Sequence, residues 1–253
     1  MNIKFLQNIN IHPDWNSFLS ENIKGKIVEI ENEIIKSDFT PDSKNVLRFL
    51  SVPLSNIKIV IIGQDPYPQP GVATGRAFEV GSLKSWSEPF NNISLKNILR
   101  AIYKAYSGEV IKYNQLKTKF DNEFPMLPPG KLFSSWEDQG VLLLNTYFTC
   151  QTGIPGSHKH IWEEFSFKLF EFINSYNSEI IWFLWGNHAK ESAANLVLKN
   201  TIQIMHPMMC FDKPGRDTDF LYGSINCFEK SKNLINWTGY KINDTTPPSQ
   251  LLF

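Results

Sequence analysis

The chain has 253 residues, 42% hydrophobic and 13% aromatic, which suits one domain of generous size with a substantial core. Its 25 basic and 25 acidic residues balance, so no whole-molecule field draws it to nucleic acid, and any DNA contact must come from a local face. Three scattered cysteines (Cys150, Cys210, Cys227) form no CxxC pair or metal spacing, the N-terminus lacks an apolar signal region, and no apolar run approaches the roughly 18 residues of a membrane span. The expectation is a soluble intracellular protein.

In chain order, Trp15, Phe18 and Leu19 suggest one short helix, and Ile23, Ile27, Ile30 and Ile34 are spaced for another. Thr40-Pro41 fits a helix start, with Val46, Leu47, Phe49 and Leu50 as its buried face. Ile57 to Pro68, IKIVIIGQDPYP, is the organising stretch: a β-branched run typical of a strand buried on both faces, then Gly63, Gln64, Asp65, Pro66, Tyr67 and Pro68. A Gly- and Pro-rich loop follows and brings Phe78 near that turn. Ser94 is the expected cap of a helix SLKNILRAIYKAY, and the polar residues 107–131 read as a surface excursion ending in Pro-Pro-Gly.

Three further strands are expected: Val141–Leu144 ending at Asn145, Ile180–Trp185 ending at Gly186-Asn187-His188, and Thr201–Met205 ending at His206-Pro207. The loop with Gly153, Gly156, Ser157 and His158 leads into an amphipathic helix IWEEFSFKLFEFI. Helices are expected from about Ala189 to Leu198 and from about Ile225 to Ile235, and the Thr/Pro-rich tail after Asn243 reads as loose. Strands alternating with helices imply an α/β protein with a parallel, helix-covered sheet. Its carboxyl ends share one edge, where ligands bind in such folds, so Asp65, Asn145, Asn187 and His206 should converge there. A polar turn after a strand is ordinary once; four such ends make a site.

A carboxylate, a histidine and a carboxamide suit acid–base and electrostatic catalysis, with no metal-ligand spacing and no nucleophilic Ser or Cys elbow. Breaking a glycosidic bond puts positive charge on the sugar and negative charge on the leaving group. A carboxylate stabilises the first and orients water; a hydrogen-bond donor stabilises the second. Asparagine presents a donor and an acceptor together, which suits a base edge, and Phe78 offers a stacking surface.

These residues carry a family resemblance. GQDPYP with the following loop and Phe78, QGVLLLNT, SHKHIW, FLWGNHAK, His206-Pro207 and YGSINCFEK…INW occur in the order seen in uracil-DNA glycosylases of the first family, over roughly residues 45–237. The resemblance implies a three-layer α/β/α fold with a central four-stranded, mainly parallel sheet. It also implies one domain over 1–253, with an N-terminal helical segment at 1–44 and a loose tail at 244–253. It implies a monofunctional DNA-repair glycosylase that flips uracil out of single- or double-stranded DNA and leaves an abasic site, without cofactor or metal. By position, Asp65 resembles the water-activating carboxylate and His206 the neutral histidine facing the departing uracil. Asn145 resembles the residue that reads the uracil edge, Phe78 the stacking ring, Tyr67 the group that excludes a 5-methyl, and Gln64 a main-chain neighbour of the flipped base. Ser157, Asn187 and the backbone after His206 resemble phosphate-gripping groups. A monomer is implied, cytoplasmic or, in a eukaryotic host, nuclear, with a DNA-mimic protein inhibitor as a further partner.

The chain departs from that pattern in three places. Pro68 stands where typical members have His, as in the poxvirus relatives. The loop after Leu83, SWSEPFNNIS, lacks the usual proline run. After His206-Pro207, Met208-Met209-Cys210-Phe211 replaces Ser-Pro-Leu-Ser, so Met209 or Phe211 is the candidate wedge into the emptied base stack. The altered loop after His206, Pro68 and the neutral net charge support an alternative: a glycosylase-fold factor that binds DNA or protein, processivity-like, with little or no catalysis. A glycosylase of altered base range is a third reading. His158 and His160 read as ordinary loop residues, His12 as a surface residue, Lys112–Lys119 as a solvated face, and Cys210 as no nucleophile.

Overall fold

The computed structural model describes residues 3–240; the tail expected to be loose at 244–253 lies outside them. Short 3-10 turns at Lys4–Leu6 and Pro13–Trp15 precede helix α1 (Glu21–Ile34). Trp15, Phe18 and Leu19 are buried as expected, but on the Pro13–Trp15 turn and the bends after it. His12 is no plain surface residue there: its Nδ1 accepts from Asp14 N at 3.3 Å and caps the turn. In α1, Ser20 Oγ accepts from Ile23 N at 3.4 Å as the cap, and Ile23, Ile27, Ile30 and Ile34 form the buried stripe.

The helix start expected at Thr40-Pro41 is instead strand β1 (Phe39–Thr40), because a residue before proline is pushed from helical to extended backbone. A single turn, α2 (Ser43–Val46), and two 3-10 turns lead to β2 (Ile59–Gly63). The chain continues through α3 (Ile93–Ser107), α4 (Tyr113–Leu116), α5 (Pro129–Asp138), β3 (Val141–Asn145), β4 (Cys150–Gln151) and α6 (Lys159–Tyr176). It ends with β5 (Ile181–Trp185), α7 (Gly186–Ser192), β6 (Asn200–Ile204) and α8 (Cys227–Ser231).

The main sheet has the order β3-β2-β5-β6 and is parallel throughout, with Gly63 opposite Asn145 and Trp185 opposite Ile204. The period-two pleat splits each buried strand between two cores. Val60, Ile62, Leu142, Leu144, Trp182 and Leu184 face the layer of α1 and α6; Ile59, Ile61, Val141, Leu143, Phe183 and Trp185 face α3, α5 and α8. The fold is therefore the three-layer α/β/α arrangement. From β2 the chain goes first to one side, at β3, and then to the other, at β5, which makes the carboxyl end of β2 the topological switch point, the place where open α/β sheets bind ligands.

Several expectations are corrected. Asn92 stands at the cap position of α3, and Ser94 is buried in its first turn. The polar segment 107–131 is no free excursion: Leu116, Phe120, Phe124 and Met126 enter the second core. It runs into α5, which starts on Pro129, a residue whose fixed φ and missing N–H suit a first helical position. β6 is half-exposed, with Thr201 and Gln203 in solvent, because it is an edge strand paired only to β5. α7 stops at Ser192 instead of Leu198. α8 stops at Ser231, whose Oγ donates back to Cys227 O at 2.7 Å while accepting from Trp237 Nε1 at 3.0 Å.

Candidate active site

The site begins where β2 and β3 end side by side. A Cβ on Gly63 would lie 2.5 Å from Asn145 Oδ1 and 2.9 Å from Ala77 Cβ, so only glycine leaves room for the amide and for the loop carrying Phe78. Asn145 is buried, 4% exposed. Thr146 N and Tyr147 N donate to Gly63 O and Gln64 O at 2.9 and 3.0 Å, so the two chains stay joined beyond the sheet. Gln64 is exposed.

Asp65 is half-buried in the turn, and its Oδ1 accepts from Gly156 N at 3.2 Å. Burial pushes its carboxyl up to about 6, with the Gly156 N–H opposing the rise. The turn is backed by the β1–β4 ribbon and its loop. Thr40 Oγ1 donates to Tyr67 O at 3.3 Å, Gly153 N to Pro68 O at 2.9 Å, and Cys150 Sγ to Pro66 O at 3.6 Å. Tyr67 OH donates to Phe78 O at 3.4 Å, and burial pushes this phenol up to about 12.

Phe78 holds φ +66°, a left-handed backbone that strains a non-glycine residue. Its neighbours anchor it. Arg76 pairs with Glu79 at 2.9 Å and with Glu137 of α5 at 2.6 Å, and Arg48 joins Glu137 at 3.3 Å. The ring then lies 5.2 Å from Trp185 and 6.1 Å from the His206 ring.

His206 follows β6 and approaches the end of β5 closely. A Cβ on Gly186, which has φ +84°, would sit 2.8 Å from His206 Cβ. Met208 N donates to His206 Nδ1 at 3.1 Å. A ring nitrogen that accepts carries no proton, so the neutral imidazole holds its N–H on Nε2. Burial, and then the nearby His188, hold this histidine below its ordinary pKa, so it is neutral at pH 7. Contacts thus join Tyr67 to Phe78 and Phe78 to His206, while Gln64, Asp65 and Asn145 follow the neighbouring ends of β2 and β3.

Of the residues expected to contact phosphate, Ser157 follows Gly156, which bonds Asp65, and Asn187 follows Gly186, which approaches His206. Ser157 is exposed next to Gly156, its Oγ accepting from Gln151 N at 2.7 Å, and Asn187 is exposed in the first turn of α7. Met208, Met209 and Phe211 are 55%, 49% and 46% exposed on the loop after His206. Cys210 between them donates to Pro207 O at 3.2 Å, and burial pushes its thiol up to about 12, which is no nucleophile. His158 is buried with Nδ1 2.9 Å from Thr149 Oγ1, and His160 is exposed beside Glu163. Among the described residues no cluster of His, Cys, Asp or Glu could hold a metal. Three contributors escaped the sequence reading: the N–H groups of Gly156 and Met208, which carry no residue signature, and His188. In the loop that lacks the proline run, Trp86 is the unforeseen anchor, donating to Leu127 O at 2.9 Å.

A carboxylate turn, a buried amide and an Nε2–H histidine at the carboxyl ends of parallel strands make a set suited to acid–base and electrostatic chemistry. A sequence profile of the uracil DNA glycosylase superfamily matches residues 51–246. Uracil-DNA glycosylase 1 of Listeria monocytogenes is 30% identical over 234 residues, 88% of this chain and 96% of that protein. The uracil-DNA glycosylase of human herpesvirus 6A is 34% identical over 246 residues, 90% of this chain and 86% of that protein. The crystal structure of mimivirus uracil-DNA glycosylase has a TM-score of 0.67 at 22% identity, covering 95% of this chain and 88% of that one, and so shares the fold. The chain belongs to the uracil-DNA glycosylase superfamily.

Proposed function

We propose that this protein removes uracil from DNA by hydrolysing the bond between N1 of the base and C1′ of the sugar. The observation that carries the reading is a half-buried Asp65 and a neutral, Nε2–H His206, each following a strand of the same parallel sheet at its carboxyl edge. The base, flipped from the helix, stacks on Phe78 while Asn145 offers its amide to the Watson–Crick edge and Gln64 contributes main chain. Tyr67 closes the space a 5-methyl group would need. As the C1′–N1 bond breaks, the sugar becomes cationic, and the Asp65 carboxylate stabilises it and orients a water toward C1′. The bond pair leaves with uracil as an anion, and His206 Nε2–H donates a hydrogen bond to it. Water adds to C1′, its proton is released, and an abasic site remains.

Ser157, Asn187 and the backbone after His206 grip the phosphates, and Met209 or Phe211 enters the vacated stack. The substrates are single- or double-stranded DNA containing uracil. A DNA-mimic inhibitor is a further partner, a reading supported by a mimivirus neighbour solved in complex with UGI. We place the protein in the cytoplasm, or in the nucleus of a eukaryotic host, as a monomer. Excision from a labelled single-stranded oligonucleotide carrying one deoxyuridine tests the reading: uracil is released while thymine and cytosine controls stay intact. Release of none of them, or of all alike, would overturn it.

A further inference from the structure

The loop from His206 to Asp219 is long and carries exposed apolar side chains, yet it is tied at both ends. The Asp219 side chain is fully buried. Its Oδ1 accepts from Leu221 N and Tyr222 N, both at 3.0 Å, and its Oδ2 from Phe211 N at 2.9 Å. Arg216 completes the clasp, donating to the same Oδ2 from Nε at 3.1 Å and from Nη2 at 3.0 Å. Its Nη2 also donates to Met209 O at 2.7 Å, and its guanidinium carbon lies 5.1 Å from the centre of the Phe211 ring. Met205 N donates to Thr218 O at 2.8 Å and closes the base of the loop.

Three features separate the two wedge candidates. Phe211 is a flat, stiff ring, whereas Met209 has three freely rotating side-chain bonds. One face of the Phe211 ring is backed by a cation that is itself fixed through a fork of hydrogen bonds. Met209 lies nearer the catalytic turn, with its N–H donated to His206 O at 2.8 Å, so displacing it would disturb the histidine. A side chain that must hold open a base stack gains from being ordered beforehand, since ordering it during binding would weaken the complex.

Resting on the glycosylase reading above, we infer that Phe211 is the side chain that fills the vacated base stack and that Arg216, locked by Asp219, is the positioning residue that holds Phe211 in place. Pairing must be broken in a duplex and is absent in a single strand, where flipping costs least, so the device serves duplex DNA above all. The Arg216–Asp219 clasp thereby sets strand preference.

The test is kcat/KM for uracil excision from a single strand and from the same sequence as a U:A duplex, using wild type, Phe211→Ala, Arg216→Ala, Arg216→Lys and the Phe211→Ala/Arg216→Ala double variant. The duplex-to-single-strand ratio should fall about 10-fold in each alanine variant, from loss of the ring or of its cationic and hydrogen-bonded support. Arg216→Lys should recover part of it. The double variant should match Phe211→Ala alone, because Arg216 acts through the ring. An unchanged ratio, equal losses on both substrates, full recovery with lysine, or losses that multiply in the double variant would each overturn the inference. Should Arg216→Ala fail to fold, an unchanged ratio in the surface variant Phe211→Ala would overturn it and a fall would uphold the wedge and leave Arg216→Lys to decide the brace. A wild type inactive on both substrates would instead overturn the glycosylase reading, and this inference with it.

Discussion

Asp65 is held in an environment that opposes its charge: burial raises its carboxyl to about 6, and the single N–H from Gly156 does not cancel that. The proposed mechanism needs this carboxylate ionised and His206 neutral, and both conditions improve as pH rises. We therefore expect kcat/KM to climb through about pH 6 and then level off, read from a pH series of excision rates. The stability consequence has the opposite sense. The folded pKa lies above the unfolded value of 3.8, so wild-type stability falls as pH rises from about 4 to about 6 and stays lower above that. Asp65→Asn should thus be more stable than wild type at pH 7, by about 1 kcal/mol after solvent screening, with the gain disappearing near pH 4 in thermal melts. At Tyr67, whose hydroxyl reaches Phe78 O, Tyr67→Ala should admit thymine. No thymine release from a thymine-containing oligonucleotide would mean that another side chain guards the 5-position.

At the scale of elements, the strand ends make the site and glycines make the strand ends. Gly63→Ala would drive a methyl group into the Asn145 amide and Ala77, in a strand with no space to yield. It should lower uracil kcat/KM by at least 10-fold and cost about 1–3 kcal/mol in denaturant unfolding. Wild-type kinetics in that variant would show that Asn145 need not hold its place. The elements themselves were unequally legible in the sequence. β2, β3 and β5 announce themselves because both faces are buried, and α1 and α6 because each shows one apolar stripe to the sheet. β1 and β4 are two-residue strands fixed by each other across more than a hundred residues, a pairing that no local pattern carries. Of the site, the side chains of Asp65, Asn145 and His206 could be read at strand ends. The N–H groups that orient Asp65 and set the His206 tautomer could not, because every residue type supplies them.

For the whole molecule, one parallel sheet serves two cores, and its carboxyl edge collects chemistry from positions far apart in the chain. The segment 107–131 shows why composition alone misreads such a layer. Its polar residues dominate the count, while a few apolar ones, Phe120 among them at 3% exposed, seal the second core. Phe120→Ala should cost about 3–5 kcal/mol in unfolding, where a solvent-exposed site would change it by no more than about 0.5. Charge is neutral overall, so DNA affinity must come from a local face and should weaken with salt.

The most direct test of the account is single-turnover excision of uracil from single-stranded DNA by wild type and Asp65→Asn, with DNA binding measured on both. Wild type should release uracil, and Asp65→Asn, still folded and still binding DNA, should be slower by about 10²–10⁴-fold. Equal rates would contradict the role of Asp65. A folded wild type that binds DNA and releases no uracil would contradict the enzyme itself and leave a binding protein on a glycosylase fold.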